Sequence, residues 1–305
     1  MSRQAAPERG NPSPEPGELN GNRSEFNGTG SNLHSQTHQS HPGERHAFGT
    51  PCLAVKDLGY AFAADKPIFS KLSFELQEGE FVSLLAPSGM GKTTLFRLIA
   101  GLLKPQAGEI HAPEGQIGYM PQRDCLMPWR TVLDNAAVGL EIGGMSKREA
   151  RRRALELLPE FGLEGTGRRM PHELSGGMRQ RVSFMRSLLA GGRLLLLDEP
   201  FSALDAMTRI SMQEWLLQIW EKHRTTILFI THDVDEALLL SDRLLIASHA
   251  PVSRLHDVEV GRPRPRSYET LLTPPFIGLK QQVLELLRPG QRPLEAASMN
   301  KGGLE

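Results

Sequence analysis

The chain has 305 residues, and its 35 Lys and Arg residues are balanced by 35 Asp and Glu residues. This length allows one large α/β domain or two small ones. Because the chain has no excess of basic residues, its overall charge does not indicate nucleic acid or anionic lipid as a partner. Only Cys52 and Cys125 are present, which argues against a disulfide framework or zinc site and favours a reducing compartment. We find no signal-like N-terminus and no bilayer-length apolar run, so we expect any membrane role to come through a partner.

The composition divides the chain into regions. Residues 1–50 are polar and poor in aliphatic side chains, which predicts a disordered tail. Histidines at 34, 38, 41 and 46 allow divalent-metal binding there, although an incidental polar tail is favoured. We assign a folded domain to residues 51–250, with a helical subdomain at about 124–190, and a partly helical C-terminal extension with a flexible end to residues 251–305. The basic run at 262–266 favours a packed extension over contact with lipid headgroups.

Apolar periodicity predicts an α/β fold. Short β-rich pieces at 53–55 and 72–76 predict an antiparallel edge sheet, and residues 81–85 predict a buried strand. A helix over 95–100, closed by Gly101, follows that strand. Further apolar runs at 117–120, 193–197, 226–230 and 243–247 are typical of a parallel sheet covered on both faces.

A loop with the properties of a phosphate cradle joins the strand at 81–85 to the following helix. Its residues are Ala86, Pro87, Ser88, Gly89, Met90, Gly91, Lys92, Thr93 and Thr94. Backbone amides and the helix N-terminus can hold the β- and γ-phosphates of a nucleotide. Lys92 would neutralise phosphate charge, and the Thr93 hydroxyl would bind Mg²⁺. Ala86 stands where the usual pattern has Gly, and one methyl group should not prevent the turn.

Two adjacent carboxylates follow the apolar strand at 193–197. Asp198 and Glu199 would lie at the carboxyl end of that strand, where open α/β sheets bind ligands. Asp198 would complete the Mg²⁺ shell opposite Thr93, and Glu199 would polarise the water that attacks the γ-phosphate. A helix cap or turn is the alternative for such a pair alone. The phosphate loop in the same chain favours the hydrolytic interpretation.

These residues resemble the ABC transporter ATPase family from about residue 52 to the mid-240s. The most specific segment, residues 174–181, reads LSGGMRQR and is similar to the family's LSGGQ sequence, with Met178 in place of Gln. The resemblance implies a P-loop NTPase (RecA-like) core with a parallel sheet, an antiparallel β edge subdomain and an inserted α-helical subdomain. It also implies that Ser175, Gly176 and Gly177, opening a helix near Met178, contact the nucleotide of a second subunit.

Further positions take roles from the same resemblance. Phe62 resembles the aromatic residue on which adenine stacks, with Tyr60 as the less favoured choice. Gln122 resembles the glutamine that senses Mg²⁺ and the γ-phosphate, and His232 resembles the histidine that contacts the γ-phosphate. Asp205 resembles a residue through which two subunits communicate. Taken alone, Phe62 could belong to a core, Gln122 to the surface, and His232 to a structural contact.

The resemblance implies an ATPase coupled to transport, with ATP and Mg²⁺ as cofactors. It implies a head-to-tail homodimer with ATP in the seam, attached to transmembrane permease subunits at the cytoplasmic face of the inner membrane and served indirectly by a solute-binding protein. The apolar stretch 124–130 is predicted to meet the permease, although it could instead cap the helical subdomain. Motif details favour aliphatic sulfonates or taurine as the solute, with nitrate or a thiamine-precursor pyrimidine as alternatives. The rival class is a soluble, non-transport ABC ATPase.

Overall fold

The computed structural model describes residues 51–63, 65–113, 117–264 and 266–288. The predicted tail with its histidines and most of the predicted flexible end lie outside the described residues. The strands are β1 (Leu53–Ala63), β2 (Lys66–Leu76), β3 (Phe81–Leu85), β4 (Ala107–His111), β5 (Gly118–Met120), β6 (Leu194–Asp198), β7 (Thr226–Thr231), β8 (Arg243–Ile246) and β9 (His256–Glu259). The helices are α1 (Lys92–Ile99), α2 (Val132–Ile142), α3 (Lys147–Leu157), α4 (Gly176–Ala190), α5 (Ala206–His223), α6 (Val234–Leu240), α7 (Tyr268–Leu271) and α8 (Pro274–Leu287), with a 3₁₀ helix at Pro171–Glu173.

A small antiparallel sheet contains β1, β2 and β4 in the order β2-β1-β4. Leu53 pairs with Leu76 and Val55 with Phe74, and the register shifts after Val55. Asp57 follows that point with a positive φ of 48°, and β1 then continues well beyond the three residues predicted. The antiparallel edge sheet expected from the sequence is confirmed, and β4 adds a strand that the sequence did not predict.

The main sheet has six strands in the order β5-β6-β7-β3-β8-β9. Among the described residues, neighbouring strands of this sheet are parallel from β5 through β6, β7 and β3 to β8, and β9 is antiparallel to its neighbour β8. The α/β class with a parallel sheet is therefore confirmed. Because parallel strands end at the same edge, the segments that follow β3, β5, β6 and β7 meet there. Strand β9 lies beyond residue 250, so the sheet continues into the region assigned to the extension.

The central strands β3, β6 and β7 are largely apolar because both faces of the sheet are covered there. In β3, Phe81 and Leu85 belong to one hydrophobic cluster, whereas Val82 and Leu84 belong to another on the opposite face. The same alternation runs through β6 and β7. Each fully buried aliphatic or aromatic side chain contributes about 1.5–3 kcal/mol. This packing on both faces stabilises the strands that carry the loops at the carboxyl edge of the sheet.

Helices α2, α3 and α4 occupy the region between β5 and β6. Helix α2 passes so close to the end of α4 that a Cβ on Gly139 would lie 2.2 Å from Cβ of Ala190. Buried Asn135 on α2 donates to the carbonyls of Met127, Arg130 and Thr131. Asn135 thereby fixes the loop that precedes α2.

The C-terminal segment packs on α6. Arg266 is buried and donates to the carbonyls of Leu238 and Ser241. The Arg264 guanidinium bonds Asp242 and stacks 4.3 Å from the ring centroid of Trp220. These two arginines of the basic run are therefore engaged in packing. No helix in the described ranges has the length and apolar character needed to span a bilayer.

Candidate active site

The phosphate loop leads from β3 into α1. Its positive φ values belong to Gly89 and Gly91, at 82° and 85°. A Cβ on Gly91 would lie 2.3 Å from Cγ2 of Ile68, so both backbone conformation and space require glycine there. Ala86 is buried and is not among the residues with positive φ. This explains how an alanine is accommodated where the usual pattern has glycine.

The Lys92 side chain is held over the phosphate loop by backbone carbonyls of that loop. Its ammonium Nζ donates to the Ala86 carbonyl at 2.9 Å and to the Pro87 carbonyl at 3.4 Å. It also lies 3.9 Å from Oε1 of Glu199. The charge of Lys92 therefore faces the concave side of the loop and the carboxylate that follows β6.

Asp198 ends β6 with only 4% of its surface exposed. Burial raises its pKa, the charge on Glu199 raises it further, and a hydrogen bond from the Thr93 hydroxyl opposes the shift. Burial and the nearby Asp198 carboxylate also raise the pKa of Tyr119 to about 12. The Thr93 hydroxyl and the Asp198 carboxylate are adjacent oxygen groups of the type that Mg²⁺ prefers as ligands.

These two ligands would leave most of the Mg²⁺ shell to other oxygens. The described ranges contain no cluster of three or more His, Cys, Asp or Glu side chains able to hold a metal by themselves. Mg²⁺ is usually bound by one or two protein ligands together with phosphate oxygens and water. The donor set therefore fits a metal that arrives with a nucleotide.

Glu199 is the point on which several predicted side chains converge. Gln122 donates from Nε2 to its Oε2 at 3.2 Å, and Nδ1 of His232 lies 3.5 Å from the same oxygen. With Lys92, these residues form what we call the hydrolytic cluster: Lys92, Gln122, Glu199 and His232. The backbone of Glu199 has φ 45°, an unusual value for a non-glycine residue, and its N–H donates to the Ile230 carbonyl at 3.0 Å. The carboxylate is thus aimed by the ends of β6 and β7.

A surface pocket opens beside Glu199 and His232. It is also lined by Arg209, Thr231 and Glu236, among others. The sequence analysis did not select these three residues. A signal was present for Glu236, because it is an acidic residue immediately before the apolar run that completes α6. Burial raises the pKa of its carboxyl group.

Ser175, Gly176 and Gly177 lie at the start of α4. The helix begins at Gly176, two residues before the predicted start, and the Ser175 hydroxyl accepts from the N–H of Met178 at 3.3 Å. Asp205 caps α5 in the same way, accepting from the N–H and the hydroxyl of Thr208, and these bonds lower its pKa. We call Ser175, Gly176, Gly177 and Asp205 the signature surface.

The signature surface is continuous, because a Cβ on Gly177 would lie 3.1 Å from Cγ2 of Thr208. The hydrogen bonds just given for Ser175 and Asp205 are local caps. Those of the hydrolytic cluster join residues far apart in sequence. The structure therefore brings the predicted residues together as two separate groups.

Phe62 lies near the end of β1 with 67% of its surface exposed. Its ring packs edge-on against Tyr60, with centroids 5.3 Å apart. Such exposure argues against a core role and leaves one face free for an aromatic base.

The fold and the hydrolytic cluster define a nucleoside triphosphatase of the P-loop class. Residues 69–202 match the family model described as ABC transporter. The chain is 48% identical over 220 residues to the formylaminopyrimidine import ATP-binding protein ThiZ of Halalkalibacterium halodurans, covering 72% of this chain and 88% of that protein. It is 45% identical over 207 residues to the aliphatic sulfonates import ATP-binding protein SsuB 1 of Rhodococcus jostii, covering 66% and 81%.

A solved structure shows the same fold. The dimeric post-hydrolysis structure of the ATP-binding cassette MJ0796, bound to ADP and Pi, superposes with a TM-score of 0.58 at 28% identity, covering 70% of this chain and 100% of that chain. The chain belongs to the ABC transporter family, as an ATP-binding subunit with ATPase activity. The family assignment made from the sequence is thereby confirmed.

Proposed function

We propose that this chain energises solute import by hydrolysing Mg²⁺-bound ATP at the hydrolytic cluster. The observation that carries the proposal is the convergence of Lys92, Gln122 and His232 on the carboxylate of Glu199. A carboxylate held beside the phosphate loop by these partners is placed to accept a proton from an attacking water.

The loop residues 86–94 hold the phosphates through backbone amides, and Lys92 offsets their negative charge. Thr93 and Asp198 would hold Mg²⁺, which would supply positive charge to offset the charge that develops on the phosphate during transfer. Glu199 orients and deprotonates the water. Gln122 and His232, which both lie beside Oε2 of Glu199, would contact the γ-phosphate and so respond to its presence.

We infer that the working unit is a head-to-tail pair of chains. The signature surface consists of two helix starts, with Ser175 and Asp205 exposed, whose backbone amides can bind phosphate oxygens. Placing it opposite the phosphate loop of a second chain would complete each site, with Asp205 in the seam and adenine stacked on Phe62. The dimeric state of the MJ0796 cassette supports this arrangement.

We place the contact with the permease on the loop at 124–130. Trp129 in this loop is 74% exposed, which leaves a large apolar side chain available for a helix of a membrane partner. The loop is tied to α4, because Arg179 pairs with Asp124 at 3.1 Å. Such a contact would hold the chain at the cytoplasmic face of the inner membrane, with the solute-binding protein reached indirectly.

For the solute, the sequence favoured aliphatic sulfonates or taurine. One of the two named relatives serves a sulfonate importer and the other a pyrimidine importer, so each solute has the same type of support. The relative from the pyrimidine importer has the higher identity, over the larger share of this chain. We therefore propose a small organic solute of this group, with formylaminopyrimidine placed beside aliphatic sulfonates as the first candidates.

Hydrolysis is tested with purified full-length chain, alone and co-purified with its permease. ATP turnover should require Mg²⁺, cease with EDTA and return when Mg²⁺ is added in excess. Turnover that is indifferent to Mg²⁺ would contradict the assignment of Thr93 and Asp198.

The solute is tested by growth of a strain that lacks this gene. Taurine, alkanesulfonates or nitrate serve as the sole sulfur or nitrogen source, and formylaminopyrimidine serves as the source of thiamine. Rescue by wild type but not by Glu199→Gln, on one solute alone, identifies that solute and shows that import needs hydrolysis. Normal growth of the deletion strain under every condition would favour a non-transport ABC ATPase.

A further inference from the structure

The C-terminal segment holds the helix that follows His232. Lys280 on α8 pairs with Asp235 at 2.7 Å, and Arg264 donates to the Leu240 carbonyl at 2.6 Å. Arg266 donates to the Leu238 carbonyl at 3.1 Å. The segment at 264–288 therefore contacts α6 near both ends, and α6 begins two residues after His232.

A buried chain of hydrogen bonds extends this contact toward the active site. The Tyr268 hydroxyl at the start of α7 donates to Oε1 of Gln213 on α5. Nε2 of Gln213 donates to Oε1 of Glu236 at 2.7 Å. Gln213 is fully buried and Glu236 is 5% exposed, so water does not substitute readily for either bond.

The same chain continues into the loop that carries His232. The Thr231 hydroxyl donates to Oε2 of Glu236 and accepts from the backbone N–H of Asp233 at 3.0 Å. Asp233 in turn caps α6. His232 lies between Thr231 and Asp233. Its backbone is therefore held on both sides, by the bond of Thr231 to Glu236 and by the bond of the Asp233 N–H to Thr231.

The Tyr268 hydroxyl and the Glu236 carboxylate together favour one orientation of the Gln213 amide. An amide has one oxygen acceptor and one NH₂ donor, and the donor must face the Glu236 carboxylate. Without the hydroxyl, the buried Gln213 oxygen loses its partner, so only Glu236 holds the amide and its orientation is less firmly fixed. A flipped amide would present oxygen to the carboxylate and weaken the contact with the His232 loop.

We propose that Tyr268 is a positioning residue for ATP hydrolysis, acting through Gln213 and Glu236 on the loop that places His232 beside Glu199. The inference rests on the proposed function, because it takes His232 as a contact of the γ-phosphate. It assigns to the C-terminal segment a part in hydrolysis, although that segment lies outside the phosphate loop and the signature surface.

The test is Tyr268→Phe, which removes one hydroxyl and keeps the ring. We expect kcat to fall about two- to tenfold, the range that corresponds to one hydrogen bond, while KM for ATP stays within about twofold. The matched control is Thr273→Val, which removes a hydroxyl that lies two residues after the end of α7 and donates to the Thr270 carbonyl at 2.7 Å, outside the route through Gln213, and should leave both constants unchanged. Thermal unfolding of each variant monitors the fold.

Coupling is tested in a second background, Gln213→Met, which keeps the length of the side chain but interrupts the hydrogen bonds. Tyr268→Phe should then have no further effect on kcat, because its route to His232 is already cut. A further loss of similar size in that background would show that Tyr268 acts only through stability or packing. An unchanged kcat for Tyr268→Phe, or a matching rise in KM, would also overturn the inference.

His232→Ala separates this inference from the proposed function. If His232→Ala abolishes most of the turnover and Tyr268→Phe changes nothing, the inference fails and the proposed function stands. If His232→Ala keeps full turnover, the role of His232 is wrong and the inference falls with it.

Discussion

The hydrolytic cluster and the signature surface are built in opposite ways. Residues of the cluster come from loops that follow four strands of one sheet, and their side chains contact one another through Glu199. Ser175 and Asp205 of the signature surface form local caps with Met178 and Thr208. The first arrangement is set by the tertiary fold and the second by helix starts. One region is therefore assembled within a chain, whereas the other, in the head-to-tail pair proposed above, would present groups to a second chain.

The largest expected effect comes from the centre of the cluster. Glu199→Gln keeps the shape of the side chain but removes the base, so turnover should fall by about 10²- to 10⁴-fold. ATP binding, measured with a fluorescent analogue, should persist. Glu214→Gln is the matched control, because it makes the same change on an exposed face of α5. Hydrolysis that survives in the Glu199 variant would show that another group is the base.

Mixed dimers test whether the two regions meet between chains. Two differently tagged chains, one with Lys92→Ala and the other with Ser175→Arg, are co-expressed and isolated as pairs. Because each site would combine the Lys92 of one chain with the Ser175 of its partner, one site in this pair stays wild type and turnover should remain.

The reversed arrangement gives the opposite expectation. Placing both substitutions in one chain, paired with an unaltered chain, spoils both composite sites and should abolish turnover. If instead each site lay within a single chain, the double substitution would be the active arrangement. That result would contradict the proposal that the signature surface completes the site of a second chain.

A smaller effect is expected at the edge of the first region. Phe62→Ala removes the exposed ring proposed to stack on adenine, which should raise KM for ATP about fivefold with little change in kcat. Leu102→Ala is the control, since Leu102 is similarly exposed, at 64% against 67% for Phe62. Equal KM values for the two variants would remove Phe62 from the nucleotide site.

The smallest expected effect tests whether Ser175 of the signature surface acts in turnover or only caps a helix. Ser175→Ala and Ser146→Ala each remove an N-cap, from α4 and α3, and each should cost about 1 kcal/mol of stability or less. Chemical unfolding should therefore show similar losses for the two variants. Turnover should fall only for Ser175→Ala. A similar fall in both would reduce the role of Ser175 to helix capping.

The main strands could be predicted because their signals are local. The runs at β3, β6, β7 and β8 are apolar on both faces, and Gly101 ends α1 as expected, with φ 72°. Strand β4 was missed because none of its side chains is buried, and β9 was missed because only Val258 in it is buried. Neither strand carries the apolar pattern by which a strand is recognised in sequence.

The candidate site could be predicted in part for the same reason. The phosphate loop and the Asp198-Glu199 pair are contiguous motifs, so their residue types and order suffice to propose their chemistry. The chain formed by Gln213, Glu236 and Tyr268 has no such motif, because its members lie on three helices far apart in sequence. The sequence could show an acidic residue at Glu236 beside an apolar run, but it could not identify its partners.

The helical segment is inserted in the sequence between two strands that pair with each other, and this has a consequence for folding. Strand β5 ends at Met120 and its parallel neighbour β6 begins at Leu194, with α2, α3 and α4 between them. Pairing these strands requires closing a long loop, whose entropy cost falls if the helices compact first. During refolding, amides of α2 and α4 should therefore gain protection from hydrogen exchange before those of β5. A nascent chain that has not yet exposed β7 would carry the phosphate loop but no assembled hydrolytic cluster.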